Sequence, residues 1–139
     1  MSENNKKMVR THFEEVVTRG KVELIDTLYG ENYVGHVMDS SMEIHGPQQC
    51  KQFVALRLML TPDLRVTVLD QVAEGDRVAT RLKIEVVSPA DEQEEKPVYG
   101  MYFHRFADGL IIESWETWDS LTAKETLGLN LLEAASMNI

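Results

Sequence analysis

The hydrophobic pattern of this chain changes from a helical to an extended period near residue 62, and this change constrains the fold more than any other feature. Before it, four apolar residues recur with the spacing of one buried helical face: Val9, Phe13, Val16 and Val17. After it, apolar and polar residues alternate along 64–68 and 78–86, as in strands with one buried side. Helices followed by consecutive antiparallel strands predict an α+β fold.

Glycine and proline mark where the predicted helices begin and end. Gly20 ends the first helix, and a shorter apolar stripe follows over residues 22–29. Residues 33–41 are irregular and leave room for a short strand. Gly46-Pro47 begins a third helix, which ends before Thr61-Pro62 because the residue preceding a proline disfavours helix.

The second half of the chain predicts a meander of long strands. Asp108-Gly109 is a strong signal for a two-residue hairpin between Tyr99–Phe106 and Leu110–Trp118. The acidic segment Ser88–Pro97 is expected to be a solvated loop, and Ser120–Leu132 a weakly patterned helix. Strands this long must bend, so a sheet capped by helices is expected to leave a concave pocket.

Length, charge and cysteine content exclude several classes of protein. The 139 residues suit a single domain, 1–139, with a substantial core. The formal charge of −9 argues against sequence-independent nucleic-acid binding, which needs a basic surface. No apolar run reaches the about 18 residues that suggest a membrane span, and the first residues show no signal-peptide pattern. A lone cysteine, Cys50, cannot form an internal disulfide, so a cytoplasmic location is expected.

Motifs for metals, nucleotides and acyl nucleophiles are absent from the sequence. The histidines form neither an HExxH motif nor a pairing with cysteine, and no P-loop, dinucleotide fingerprint or GxSxG elbow occurs. We therefore expect no metal and no cofactor. Cys50 is predicted to be a small buried residue, and Arg57, Arg65 and Arg81 are predicted to be solvated or paired across the sheet.

An ordered series of segments gives the chain a family resemblance. The segments are His12–Val17, Tyr33-Val34 with His36, Thr61–Val66, Glu74–Arg81 and Phe106–Trp115, with Asp119 four residues further on. In this order and spacing the chain resembles the SnoaL-like polyketide cyclases of the nuclear-transport-factor-2-like superfamily, over roughly residues 5 to 129. The resemblance implies a cone of N-terminal helices packed on a strongly curved antiparallel sheet that encloses a pocket.

The resemblance also implies site residues. Asp119 matches the family's acid/base aspartate, and His104 lies in or beside the register of a pocket histidine found in some cyclases. Two segments depart from the family pattern: Pro97–Gly100 stands in place of a Gly-rich loop, and 120–128 lacks the usual Gln-rich ending. We expect these departures to affect the substrate more than the fold.

The predicted hairpin assigns residues to the two faces of the sheet. With Asp108-Gly109 as the turn, Tyr102 lies opposite Trp115 and His104 opposite Glu113. One face is then expected to carry an aromatic wall with two titratable groups: Phe106, His104, Tyr102, Trp115 and Asp119. The predicted binding site for a small hydrophobic or aromatic molecule consists of this wall together with Phe13, Tyr33 and His36.

Several of these residues have a simpler explanation. Asp119 could cap the helix predicted to follow it. A flat sheet would separate His104 from Asp119 by about 20 Å, so the two could form a dyad only across a bulge or a strong bend. His104 could instead pair with Glu113. His36 could be a structural histidine, and His12 a structural or rim residue.

The first functional hypothesis is a cofactor-independent enzyme acting on a small hydrophobic carbonyl compound. Asp119, desolvated among aromatic rings, would remove a proton next to the carbonyl. The developing enolate oxygen would accept a hydrogen bond from His104, His36 or Tyr33. Aldol cyclisation, isomerisation and dehydration all fit this chemistry.

Two other hypotheses remain open. One is a non-catalytic module that binds a small ligand or a protein partner. The other is an epoxide hydrolase with Arg105 as its arginine, although Arg105 is expected to face away from Asp119 and Ala107 stands where a second aspartate is needed. The other face of the sheet is expected to be more apolar than a solvated surface, which predicts a homodimer. That face would carry Tyr99, Met101, Phe103 and Ile112.

Overall fold

The helices of the described residues lie in the first half of the chain. The computed structural model describes residues 2–38, 40–60, 62–86 and 97–119. Its helices are α1 (Ser2–Thr11), a π-helix (His12–Thr18), a 3-10 turn (Val22–Leu24), α2 (Ile25–Leu28) and α3 (Gly46–Leu60). The helix predicted to begin at Gly46-Pro47 and to end before Thr61-Pro62 is therefore confirmed.

Six strands form one mixed sheet in the order β2-β1-β6-β5-β4-β3. The strands are β1 (Tyr29–Val37), β2 (Glu43–His45), β3 (Leu64–Glu74), β4 (Arg77–Val86), β5 (Val98–Ala107) and β6 (Leu110–Trp118). All neighbouring strands are antiparallel except β1 and β6, which are parallel. The predicted meander β3 to β6 and its hairpin turn at Asp108-Gly109 are confirmed.

The apolar stripe of the first helix is buried as predicted. Its four residues, Val9, Phe13, Val16 and Val17, are all at most 2% exposed. The backbone changes from α to π geometry at His12, so the helical stretch continues to Thr18 with a wider turn. Gly20 follows with φ +76°, a conformation that glycine adopts without steric cost.

Strand β1 occupies a region in which the sequence predicted helix and irregular structure. The apolar stripe over 22–29 is helical only to Leu28, and Tyr29 already belongs to β1. The strand then covers the first part of the irregular segment 33–41 and pairs with both β2 and β6. This assignment depends on pairing with distant residues, which a local pattern does not contain.

The sheet has an inner face, which the helices cover, and an outer face on its other side. Alternation along β5 illustrates the two faces: Val98, Gly100, Tyr102, His104 and Phe106 are buried, whereas Tyr99, Met101 and Phe103 are exposed. The core fills the space between the inner face and the helices. The predicted α+β fold of helices on a curved sheet is confirmed.

Two predicted segments lie wholly or almost wholly outside the described residues. They are the acidic loop Ser88–Pro97 and the helix Ser120–Leu132. The assignment of all residues 1–139 to one domain stays a prediction. Within the described residues, no helix is both long enough and apolar enough to span a membrane.

Candidate active site

A β-bulge in the hairpin decides which residues of β6 face the helices. Next to the turn, Ala107 pairs with Leu110 and Phe106 with Ile111, as predicted. The next pair is Arg105 with Glu113, so Ile112 is an extra residue in β6. Because side chains alternate along a strand, one extra residue moves all the following residues of β6 to the opposite face.

The predicted partners across the hairpin are wrong beyond this bulge. Tyr102 lies opposite Glu116, and His104 lies opposite Ser114. Trp115 instead lies opposite Phe103 on the outer face, where its ring is 5.8 Å from the Phe103 ring. The predicted aromatic wall therefore loses Trp115 and keeps Tyr102, His104 and Phe106.

Asp119 also lies away from this wall. Its backbone N–H donates a hydrogen bond to the carbonyl of Tyr99 at 3.1 Å, and its side chain is exposed. The predicted placement of Asp119 on the same face as His104 and Tyr102 is wrong for the same reason as that of Trp115. Its role as the acid/base residue stays a prediction.

The inner face carries a carboxylate that sequence reasoning missed. Glu116 is only 4% exposed. Its Oε2 accepts hydrogen bonds from the Tyr102 hydroxyl, from Trp118 Nε1 at 2.8 Å and from Arg57 Nη2 at 3.3 Å. Among the described residues no hydrogen bond reaches Oε1. One oxygen of the carboxylate is thus held by three donors.

Arg57 reaches this carboxylate from helix α3. It is 8% exposed, and its guanidinium lies 4.4 Å from the centre of the Phe53 ring. Burial alone would lower the pKa of Arg57, but Tyr102 and Glu116 outweigh this effect and raise it. The prediction that Arg57 is solvated or paired across the sheet is wrong. Its spacing of four residues from Phe53 places both on one side of α3, a signal that the sequence did contain.

The other two arginines are paired across the sheet, as predicted. Arg65 contacts Glu85, and Arg81 contacts Asp70.

Gly100 allows Trp118 to reach Glu116. A Cβ on Gly100 would lie 2.2 Å from Cε3 of the Trp118 ring, closer than any side chain tolerates. The indole therefore lies across the backbone of β5, where its N–H points to the carboxylate. Gly100 belongs to the Pro97–Gly100 segment that departs from the family pattern.

His104 is buried on the inner face without a hydrogen-bond partner. It has no measurable exposure, and neither ring nitrogen bonds any of the described residues. Its ring stacks on the Tyr102 ring, with 5.5 Å between the ring centres and 9° between the ring planes. It meets the Phe13 ring edge to face, with 6.1 Å between the ring centres. Burial lowers the pKa of His104 to about 3, so the imidazole is neutral at physiological pH. The predicted pairing with Glu113 is wrong, because Glu113 faces outward.

Two further hydrogen bonds complete the polar interior. The Tyr33 hydroxyl and Ser114 Oγ are 2.5 Å apart, and the Tyr29 hydroxyl lies 3.0 Å from Nδ1 of His12. The Tyr29 and Tyr33 rings meet edge to face at 4.6 Å. Tyr33 thus lies in the interior as predicted, with its hydroxyl already bonded.

His36 lies on the outer face, contrary to its predicted place in the ligand site. Its Nε2 is 2.7 Å from Glu113 and its Nδ1 is 3.1 Å from Glu43. The ring stacks on that of Trp115, with 5.3 Å between the ring centres and 19° between the ring planes. His36 therefore links β1, β2 and β6 on the outer face, which agrees with its alternative as a structural histidine.

Arg105 also lies on the outer face, where it forms a 2.8 Å ion pair with Glu113. The bulge brings Asp119 to this same face, so the expectation that Arg105 and Asp119 face opposite ways is wrong. Ala107 still stands where the epoxide-hydrolase arrangement needs a second aspartate.

The structure thus divides the predicted site residues into two groups. The inner group is Phe13, Tyr33, Tyr102, His104 and Phe106, all buried. The outer group is His36, Trp115 and Asp119. Glu116 joins the inner group because of the bulge at Ile112. The one sequence signal of this bulge was the consecutive apolar pair Ile111-Ile112 after the turn.

The arrangement of possible metal ligands was compared among the described residues. Within the parts of the chain that the structure describes, no group of three or more His, Cys, Asp and Glu side chains is placed to hold a metal ion. Cys50 is buried, as predicted, and burial raises the pKa of its thiol to about 12.

Helices on a curved six-stranded sheet, with a carboxylate and a neutral imidazole buried between them, define a cone-shaped α+β protein with a polar interior. The model of the SnoaL-like polyketide cyclase family matches residues 7–127. The chain belongs to this family. Membership supports a polyketide cyclase type of activity. A comparison with curated proteins finds no match.

Three solved structures illustrate how widely this fold is used. A protein from Jannaschia sp. CCS1, provisionally assigned as a SnoaL-like polyketide cyclase, is 19% identical with a TM-score of 0.76, covering 91% of this chain and 92% of its own. One from Kribbella flavida, provisionally assigned as a ketosteroid isomerase, is 20% identical with a TM-score of 0.68. The match covers 84% of this chain and 78% of the Kribbella chain. A de novo designed protein with a curved β-sheet is 18% identical with a TM-score of 0.73. The match covers 96% of this chain and 98% of the designed chain.

The designed protein limits what the fold can say about function. Its TM-score with this chain, 0.73, lies between those of the two natural proteins, 0.76 and 0.68. Fold similarity alone therefore does not assign an activity, which has to be argued from the side chains of the interior.

Proposed function

We propose that this protein is a cofactor-independent acid/base enzyme that moves a proton on a small, uncharged, hydrophobic carbonyl compound. The observation that carries the proposal is the contiguous group of Glu116, Tyr102 and His104 on the inner face. Tyr102 contacts both of the others, through a hydrogen bond to the carboxylate and a stacked ring on the imidazole. Residues placed diagonally across a strand pair, as Glu116 and His104 are, have Cα atoms about 7–8 Å apart.

The chemical roles follow from the state of each group. Oε1 of Glu116 is the proposed proton acceptor, because Oε2 already accepts three hydrogen bonds. A neutral imidazole such as His104 can donate a hydrogen bond to a carbonyl oxygen without giving up a positive charge. A carboxylate base combined with a neutral histidine is an established arrangement for enolisation. Loss of the α-proton to Glu116 and return of a proton elsewhere would produce isomerisation, aldol closure or dehydration.

Asp119 is the second candidate for the base. The family resemblance favours it, whereas the burial of Glu116 beside His104 favours Glu116. The two residues are three positions apart on the same chain segment and lie on opposite faces, so single substitutions separate their roles.

Deuterium exchange tests this proposal without knowledge of the natural substrate. The protein is incubated in D2O with a panel of aromatic ketones such as α-tetralone, and α-deuterium incorporation is followed by NMR. Glu116→Gln is expected to reduce the exchange rate about 100-fold or more, since general-base catalysis contributes about that much. Glu116→Asp, which keeps the charge but shortens the side chain, is expected to retain part of the rate. Asp119→Asn is the matched control and should exchange at the parent rate.

The other outcomes identify the alternatives. Loss of exchange in Asp119→Asn with full exchange in Glu116→Gln would assign the base to Asp119. Saturable binding of the ketones without any exchange by the parent protein would favour the non-catalytic ligand-binding module.

We also propose that the protein forms a homodimer through its outer face. Tyr99, Met101 and Phe103 are 49%, 51% and 36% exposed and form an apolar stripe along β5. The strands on either side differ in charge: β4 carries Arg77, Arg81 and Lys83 with one acid, Glu85, whereas β6 carries Glu113 and is followed by Asp119. A two-fold axis parallel to the strands would place β4 of one copy over β6 of the other, so that opposite charges meet across the apolar stripe.

A cytoplasmic location is part of the same proposal. It rests on the single, buried cysteine of the chain. Fractionation of cells that express the protein is expected to recover it with cytosolic markers, and recovery elsewhere would contradict the proposal.

A further inference from the structure

A second buried histidine, His12, lies in the interior at an unusual place in the backbone. It is the first residue of the π-helix His12–Thr18, and the α-helix α1 ends at the residue before it. π-helical turns are rare and often occur at functional sites. Phe13 contacts the His12 ring at 4.9 Å and approaches the His104 ring at 6.1 Å. The two imidazoles thus share one aromatic neighbour.

The protonation state of His12 and its neighbours follows from burial. Burial, with smaller electrostatic contributions from His104 and Arg57, lowers the pKa of His12 to about 3, so this ring is neutral. Burial raises the pKa of Tyr29 well above its usual value, and the hydroxyl keeps its proton. A neutral imidazole has one donor nitrogen and one acceptor nitrogen. The 3.0 Å contact between the Tyr29 hydroxyl and Nδ1 therefore has two possible directions.

The number of groups left unpaired decides between these directions. Among the described residues, the contact with Nδ1 is the one hydrogen bond of the Tyr29 hydroxyl. If Tyr29 donates to Nδ1, the phenol proton is paired and a single donor, Nε2–H, is left over. If Nδ1–H donates to Tyr29 instead, both the buried phenol proton and the acceptor nitrogen Nε2 are left over, which costs more free energy. The first direction is the more stable, and it places the ring proton of His12 on Nε2.

We propose that Tyr29 is a positioning residue that holds His12 as the tautomer with its proton on Nε2. His12 then donates a hydrogen bond to an uncharged oxygen of the bound ligand, in addition to the hydrogen bond that His104 donates. The inference rests on the proposed function for the nature of that ligand. The one hydrogen bond of the His12 ring within the described residues uses Nδ1, and neither nitrogen of His104 has a partner there. Two neutral imidazoles suit a ketone or hydroxyl group better than a carboxylate, which a cationic group would bind more strongly.

Imidazole nitrogen NMR tests the positioning role directly. In the 15N-labelled, unliganded protein, His12 is expected to carry its proton on Nε2. Tyr29→Phe removes the donor to Nδ1 and should convert His12 to a mixture of both tautomers. Tyr33→Phe is the matched control: its ring is equally buried and contacts Tyr29 at 4.6 Å, but its hydroxyl bonds Ser114. This variant should leave the His12 tautomer unchanged.

Titration with α-tetralone tests the donor role. The Nε2 signal of His12 is expected to shift on addition of the ketone, and the affinity should fall about fivefold in Tyr29→Phe, the effect of weakening one neutral hydrogen bond. Tyr99→Phe removes the same hydroxyl group from an exposed tyrosine of the outer face and should bind the ketone as the parent does.

Three results would overturn the inference. They are a proton on Nδ1 of His12 in the parent protein, an unchanged tautomer in Tyr29→Phe, and a Nε2 signal that does not move at the highest soluble ketone concentration. The parent spectrum alone is decisive if Tyr29→Phe does not fold. Failure of the proposed function is a separate result, because it appears as full deuterium exchange by Glu116→Gln whatever the tautomer of His12.

Discussion

Tyr102 donates a hydrogen bond to Glu116, the residue directly opposite it across the β5–β6 ladder, and both side chains are buried on the inner face. Burial raises the pKa of Tyr102 well above its usual value, so the phenol acts as a donor throughout the physiological range. Arg57 supplies the positive charge that balances the carboxylate. The pair therefore links the sheet to helix α3 and forms the centre of the proposed site.

Removal of the Glu116 charge is expected to destabilise the fold. Glu116→Gln leaves the Arg57 charge buried without this carboxylate, which typically costs about 3–5 kcal/mol. Urea unfolding of the variant should show this loss. Glu113→Gln is a matched control on the same strand, since its contacts with Arg105 and His36 are partly exposed and each is expected to be worth at most about 1 kcal/mol.

A double substitution separates charge burial from packing. Replacing both partners, as in Arg57→Met with Glu116→Gln, should recover most of the stability lost in the single variant, because no unbalanced charge remains buried. Equal unfolding free energies for Glu116→Gln and Glu113→Gln would contradict the buried ion pair.

Acid is expected to destabilise the protein through its two buried histidines. His12 and His104 have pKa values lowered to about 3, whereas an unfolded histidine titrates near 6.5. The unfolded chain therefore binds more protons than the folded one between these values, and the stability present above pH 6.5 is lost as the pH falls through this window. Each histidine should cost about 2 kcal/mol at pH 5 relative to pH 7.

Urea unfolding at pH 5 and pH 7 measures this effect. His104→Leu should show a smaller difference between the two pH values than the parent protein. His45→Gln is the control, since His45 is exposed and should leave the difference unchanged. A parent-like pH difference in His104→Leu would argue against the buried, neutral state of His104.

A side chain at position 100 is expected to displace Trp118. The Cβ of Gly100→Ala would overlap the indole ring, so the ring must move and its hydrogen bond to Glu116 should break. We expect a loss of about 1–3 kcal/mol, as for other overpacked sites, and a change in the Trp118 indole N–H signal.

Gly30→Ala is a milder substitution of the same kind, because its Cβ would meet a methyl group of Ile112 at 3.3 Å and the carbonyl oxygen of Ile111 at an ordinary 3.6 Å. It should leave the Trp118 signal in place. An unperturbed indole signal in Gly100→Ala would show that Trp118 does not depend on this close approach.

A charge in the centre of the outer apolar stripe is expected to prevent dimerisation. Met101→Glu places a carboxylate in the proposed interface, whereas Val72→Glu places one on β3, away from the stripe, at an apolar residue that is more exposed than Met101. Light scattering after size exclusion at micromolar concentration should give a dimer mass for the parent and for Val72→Glu, and a monomer mass for Met101→Glu. A monomeric parent would contradict the homodimer.

The limits of sequence reasoning are clearest in β6. The hairpin turn at Asp108-Gly109 was predictable because its residues prefer the required backbone conformation locally. The bulge at Ile112 was not, because the inner residues that follow it, Ser114 and Glu116, are polar and hide the alternation that would reveal the register. Functional sites often break the hydrophobic pattern in this way.

The elements with a strong local period could be predicted from the residue pattern: the buried stripe of the first helix, the extent of α3 and the strands β3 to β6. Three features followed only from contacts between distant residues: Tyr29 begins a strand parallel to β6, Arg57 meets Glu116, and Trp115 and Asp119 face outward. The two groups differ in the range of the interactions that produce them. Helical and extended periods arise between residues a few positions apart, whereas the face of a side chain and the partner of a buried charge depend on pairing between residues far apart in the chain.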